Sequence, residues 1–157
     1  MLPGLAEVAQ EAGVPFEAVS LEGMVEADVV ISITSVFSPI FGAAHISAGT
    51  HVACMGTDTI GKQECETDLI AKAAVFTDEV AQSVTLGEAQ HAITAGLKTR
   101  DDIHELGAVI NGTHAGRTSD DEITLFDGTG VGLQDLAVSA RIVEIAKAKG
   151  IGMEVDI

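Results

Sequence analysis

Val29-Val30-Ile31-Ser32-Ile33-Thr34 is a short run rich in β-branched residues, entered through Ala27-Asp28 and left through Ser35. A run that is apolar almost throughout, rather than alternating, predicts a strand covered on both faces, as in a parallel sheet. Working outward, the same kind of run recurs at His51 to Met55, Ala74 to Thr77 and Ile123 to Phe126, and Phe16 to Ser20 is a further candidate. Helical spacing fills the gaps: Leu5 to a glycine stop at Gly13, Leu21 to Ala27, Thr67 to Ala73, Gly87 to Ala95, and Asp102 to Ile110 with Thr99 or Asp101 available as a cap. Strands alternating with helices predict an α/β fold built on a parallel sheet.

The longest predicted helix runs from Gly132 to about Lys149. Leu133, Leu136, Ala137, Ala140, Val143 and Ala146 form one stripe, and Val138, Ile142 and Ile145 widen it. That breadth predicts burial on more than one side, either in the core or at a subunit or domain interface. Met153 to Ile157 alternates like an edge strand in need of a sheet.

A chain of 157 residues suits one domain with a real core, needing neither disulfide nor metal to fold. No apolar run is long enough to span a bilayer, and the N-terminus shows no export signal, so a cytoplasmic protein is expected. The 24 Asp plus Glu against 8 Lys plus Arg leave a net charge of −16, which disfavours nucleic acid and anionic membranes as partners. Two readings of that acidity stay open: a halophilic protein whose self-repulsion is screened by salt, or an ordinary acidic cytosolic one. Cys54 and Cys65 match neither a zinc spacing nor a redox pair, the five histidines form no ligand motif, and no metal is implied. Asn111-Gly112-Thr113 reads as a turn after a helix.

Ligands of parallel α/β sheets bind beyond the carboxyl ends of the strands, so the loops there are the place to search. Asp127-Gly128-Thr129-Gly130-Val131-Gly132 resembles a dinucleotide fingerprint only loosely, because Leu133 stands where the third glycine belongs. The helix N-terminus behind it could still turn amides toward an anion. Gly56-Thr57-Asp58-Thr59-Ile60-Gly61-Lys62-Gln63-Glu64 says more. Gly56 and Thr57 are small enough for a ligand to approach the backbone, Asp58 could shuttle a proton, and Lys62 could counter its charge. The alternative, that Asp58 caps a turn and Lys62 is solvated, stays open on spacing alone.

Several motifs in one order carry a resemblance: Ala27-Asp28-Val29-Val30, Gly56 to Glu64, Gln82, Gly87-Glu88, Glu105-Leu106-Gly107, Gly116-Arg117, and Glu122 to Asp127 followed by Gln134-Asp135. With these the chain resembles the ornithine cyclodeaminase/mu-crystallin family, which includes archaeal-type alanine dehydrogenases. The resemblance implies an NAD(P)-dependent oxidoreductase or deaminase that transfers hydride between a small L-amino acid, or its imine, and NAD or NADP. It implies Asp58 as catalytic acid/base, Thr34, Met55, Gly56, Thr57, Lys62 and Gly128 at the cofactor, and Thr129 near the substrate. It also implies a homo-oligomer, a dimer. Gly128 departs from the family, which often has serine there.

The resemblance begins partway into a Rossmann-like domain. It implies strands 3 to 6 plus a following strand and a long C-terminal helix, with the N-terminal domain and the first Rossmann strands absent, and with them the glycine-rich cofactor turn. Residues 1–115 would belong to the NAD(P)-binding domain, and residues 116–157 would be a strand, long helix and tail packing on the N-terminal dimerisation and substrate domain. Two classes of function follow: the C-terminal part of an enzyme that works once an upstream segment is supplied, or a catalytically incomplete remnant acting as a binding or oligomerisation module that pairs its open sheet edge.

Overall fold

In a computed structural model, residues 3–153 and 155 are described. Five parallel strands form one sheet: β1 (Val29–Ser32), β2 (His51–Cys54), β3 (Ala74–Thr77), β4 (Ile103–Glu105) and β5 (Thr124–Asp127), in the order β1-β2-β5-β3-β4. The helices are α1 (Pro3–Ala12), α2 (Thr67–Lys72), α3 (Val80–Ser83), α4 (Gln90–Thr94), α5 (Leu106–Ile110) and α6 (Gly132–Lys149). The α/β class, the partial Rossmann-like sheet and the long C-terminal helix are those expected.

Register explains the core. Val30, Val52, Leu125, Val75 and Ile103 lie side by side across all five strands, and from Val52 to Ile103 they are buried. They pack with Leu69 and Ile70 of α2 and with Ala92 of α4, so that face is closed by apolar contact. The opposite face is covered at one end only. There Phe76 meets His114 edge-on at 5.5 Å, and His114 meets His104 at 4.2 Å.

Four expectations change. Phe16 to Ser20 is not a strand; it is exposed and carries no ladder, and a strand needs a neighbour for its amides and carbonyls. Asp102 to Ile110 is not one helix. Ile103, Gly107 and Ile110 share a helical face by spacing, yet Ile103 to Glu105 pairs with β3 and the helix begins only at Leu106. Third, α6 has no buried residue: Leu133, Leu136, Val138 and Ile142 are all well exposed, so it is no core element here. Its C-terminus closes on Gly150, whose φ of 64° is the left-handed cap that glycine adopts without strain. Fourth, no strand forms at Met153 or Val155, and the remainder of the predicted edge strand, Glu154, Asp156 and Ile157, lies outside the described residues. The strand placed in the second unit by the 115/116 division, β5, is hydrogen-bonded between β2 and β3 in the middle of the sheet. Among the described residues no helix is long and apolar enough to cross a membrane.

Candidate active site

The carboxyl ends of the strands meet in one row. Ser32, Cys54, Asp127 and Thr77 are neighbours across β1, β2, β5 and β3, and all four are buried. The loops leaving that row bring every predicted site residue to one edge: Thr34 after β1, Met55 to Lys62 after β2, Gly128 and Thr129 after β5.

Glu64 ties the first two loops together. Fully buried, its carboxylate accepts from Ser32 Oγ at 2.5 Å, the Thr34 amide at 2.6 Å, Thr34 Oγ1 at 2.7 Å and the Gly56 amide at 2.8 Å. Burial alone would raise its pKa, but the donors from Ser32, Thr34 and Gly56 outweigh that and hold it below the ordinary glutamate value. The Thr34 hydroxyl therefore faces Glu64. Gly56 is small for a different reason from the one expected: a Cβ there would lie 2.1 Å from the Thr34 carbonyl oxygen. The close approach is to the end of β1, not to a ligand. Thr57 is fully buried with its hydroxyl donated to Glu88, so its side chain supports the loop.

Asp58 and Lys62 form the exposed chemistry. Lys62 Nζ lies 2.7 Å from Asp58 Oδ1, with the lysine side chain 16% exposed and the aspartate 61%. Lys62 also donates to the Gly56 carbonyl at 3.3 Å, so it is held inside while Asp58 stands at the mouth. The Lys62 hydrogen bond, followed by that of Thr59, holds the Asp58 carboxyl below its usual value. Asp58 is thus an exposed, ionised carboxylate beside a fixed ammonium, a group able to accept a proton. That pairing also decides against a solvated lysine.

The last loop is organised by Asp78. Its carboxylate accepts from the Thr129 amide at 3.1 Å, Thr129 Oγ1 at 2.6 Å and the Gly130 amide at 2.8 Å. Burial pushes its pKa up, but these donors and Thr77 bring it below the ordinary value. Two amides of the turn before α6, those of Thr129 and Gly130, are thus taken by a carboxylate, which sets a negative charge beside the helix N-terminus. Gly128 is packed under Met55: a Cβ would come 2.6 Å from the thioether sulfur, so the serine common in the family has no room with Met55 as it lies.

Three buried carboxylates went unread as site residues. Besides Glu64, Glu88 sits beneath the Asp58 loop, and Asp127 accepts from Ser83 Oγ at 2.6 Å and the Ala89 amide at 3.3 Å. Burial raises the Asp127 pKa to about 7, with the nearby Glu88 adding to it, and its Oδ1 has no partner among the described residues. Cys54 and Cys65, eleven positions apart, come together with Glu88 so that their ligand atoms lie within 4.8 Å. Both thiols are free. Cys65, hydrogen-bonded to the Cys54 thiol and buried, has its pKa well above the ordinary value, and both Glu88 oxygens are taken by Thr57, Glu64 and Cys65. That is the chemistry of packed thiols. A separate apolar cavity of about 210 Å³ under α5, lined by Phe76, Leu106, Val109 and Phe126 among others, includes none of the predicted site residues.

Residues 4–150 match the model of the ornithine cyclodeaminase/mu-crystallin family. The chain is 58% identical to the iminosuccinate reductase of Paracoccus denitrificans over 158 residues, covering 100% of this chain and 49% of that protein. It is 36% identical to the alanine dehydrogenase of Archaeoglobus fulgidus, covering 82% of this chain and 40% of that protein. The crystal structure of the Paracoccus reductase in complex with NAD+ superposes with a TM-score of 0.94 at 58% identity, over 100% of this chain and 49% of that one. An archaeal alanine dehydrogenase dimer with bound NAD superposes with a TM-score of 0.92 at 31% identity, over 98% of this chain and 48% of that one. The chain thus spans about half the length of the curated relatives it matches.

Proposed function

This chain belongs to the ornithine cyclodeaminase/mu-crystallin family of NAD-dependent oxidoreductases and cyclodeaminases, and we propose that it carries the proton-transfer half of an imine-reducing active site. The observation that carries the reading is the Asp58–Lys62 pair at the carboxyl end of a parallel sheet, held by buried carboxylates. Asp58 would take up a proton when substrate binds and pass it to the substrate nitrogen, and Lys62, which stabilises the carboxylate, would ease that release. Thr129, buried with its amide and hydroxyl given to Asp78, would shape the substrate side by holding this loop in place. The nicotinamide end of NAD or NADP would lie beside Met55, Gly56, Gly128 and Thr34, where the Met55 thioether packs over Gly128. Bound there, the cofactor would supply or accept the hydride. In the Gly128–Gly132 turn, Asp78 takes the Thr129 and Gly130 amides and its charge would repel phosphates beside them, so the glycine-rich turn that holds them would be supplied by an upstream segment. Residues 1–115, completed by β5 and Gly128, would then form the cofactor side, and the remainder of 116–157 the side packed on the N-terminal unit.

The 58% identity to an iminosuccinate reductase favours a dicarboxylic imine over alanine as substrate. Reduction adds hydride to the imine carbon and a proton to its nitrogen, giving aspartate from iminosuccinate. The test combines this chain with a separately expressed N-terminal half and follows NADH consumption with iminosuccinate, and NADH formation with alanine. Activity lost in Asp58→Asn with cofactor binding retained is the expected result; no turnover of either substrate would sink the reading.

A second reading has its own support. The open edge of β1, with Val29, Ile31 and Ile33 exposed, suits a catalytically incomplete module that pairs with another copy, giving the dimer. Tight NADH binding by the chain alone, read by nicotinamide fluorescence, would show that no upstream segment is needed. Dimerisation without NADH binding or reconstituted turnover would favour the module.

A further inference from the structure

The segment from Gly87 to His91 lies beneath the Asp58 loop and holds it at both ends and in the middle. At the ends, the buried Glu88 carboxylate takes the Thr57 hydroxyl, the Glu64 amide at 2.9 Å and the Cys65 amide at 2.7 Å. In the middle stands Gln90, 7% exposed. Its Oε1 accepts the Gly61 amide at 2.8 Å, while Nε2 donates to the carbonyls of Gly87 at 2.9 Å, Lys62 at 3.3 Å and Thr59 at 3.4 Å. His91 Nε2 adds a bond to the Lys62 carbonyl at 3.1 Å. These partners fix which way the amide points: an N–H lies at one edge and three carbonyls at the other. Gly61 itself has a φ of 88°, a conformation that leaves the chain free to depart unless something holds it.

We infer that Gln90 is a positioning residue: by bonding the peptide groups on either side of Lys62, it sets where the Lys62 ammonium meets Asp58. The inference rests on the proposed proton-transfer role of Asp58 for its functional meaning. Physically it follows from the lysine stem. Four methylenes give the ammonium many positions, so a 2.7 Å contact with Asp58 is kept only if the backbone beneath is held. Gln90 is suited to this because one side chain offers both an acceptor and donors. Leucine offers neither, and glutamate would turn a carboxylate toward three carbonyl oxygens.

The test uses the whole chain and needs no turnover. In Gln90→Leu, hydrogen exchange at the Gly61 amide accelerates about tenfold, as expected for loss of one net hydrogen bond. The Asp58 carboxyl, followed by its ¹³C shift, then titrates at higher pH, toward an ordinary aspartate, because Lys62 no longer stays beside it. Gln90→Asn, which keeps the amide but is one methylene shorter, should move both readouts the same way by less, and it decides the matter if the leucine variant does not fold. An Asp58 midpoint that stays at its native value in a variant whose Val52 and Leu125 amides remain protected overturns the inference, whatever the loop exchange does. The readouts are on the carboxyl and the loop, so failure to find imine reduction would leave them unaffected.

Discussion

One row of the sheet passes from buried to exposed. Phe76, Phe126, Ala53 and Ile31 are neighbours across β3, β5, β2 and β1, and exposure climbs from 6% at Phe76 to 71% at Ile31. On the other face of β1 the contrast disappears: Ser32 is 8% exposed and donates to Glu64. A single strand is therefore locked on the face toward the site and bare on the face away from it. The difference teaches that the Asp58 loop is organised from within this chain by buried carboxylates. The apolar faces of β1 and α6 stand exposed, Ile31 and Leu133 most of all, the composition that contact surfaces have.

The contrast can be broken most forcefully on the closed side. Glu64→Ala would leave the Ser32 hydroxyl, the Thr34 amide and hydroxyl, and the Gly56 amide without their acceptor. A loss of about 4 kcal/mol is expected from urea unfolding; a loss under about 1 kcal/mol would mean that water replaces the carboxylate. Gly56→Ala forces a Cβ against the Thr34 backbone, and a loss of about 3 kcal/mol is expected by the same measurement.

Asp127 sharpens the comparison through pH. Its folded pKa, about 7, lies above the unfolded value near 3.8, so the folded state binds more protons between those limits and stability falls as pH rises through that window. Asp127→Asn should flatten this slope, so that the variant gains stability relative to the parent steadily from pH 4 to pH 8. A parent whose stability rises steadily from pH 4 to 7 would contradict it. The smallest effects belong to the open side: Ile31→Ala and Ile142→Ala should change unfolding free energy by less than about 0.5 kcal/mol. The same two changes should weaken association with an N-terminal half, measured by calorimetry. If instead they cost several kcal/mol in the chain alone, these side chains are already buried in solution.

The strands were legible because β-branched runs of the β1 and β3 kind read the same locally and in the sheet. The helix at 132–149 was legible in extent, though not in burial, since amphipathic width says that a surface will be covered without saying by what. Strand β4 was hidden by a spacing that suits a helix equally. At the site, Asp58 and Lys62 were legible as neighbours four positions apart. Glu64, Glu88 and Asp127 were not, because their partners lie far off in the chain: Thr34 is 30 positions from Glu64, and Ser83 is 44 from Asp127.

By itself the sequence determined the alternation of strand and helix, the family, and the loop that carries the acid and the lysine, since each depends on residue type and short spacing. Only the tertiary structure decided that Gly56 is small for the sake of Thr34, that Asp78 fills the turn before α6, and that Gln90 lies under Lys62. Burial and hydrogen-bond satisfaction belong to pairs of residues brought together by the sheet, and a parallel sheet brings together residues that the chain itself keeps apart.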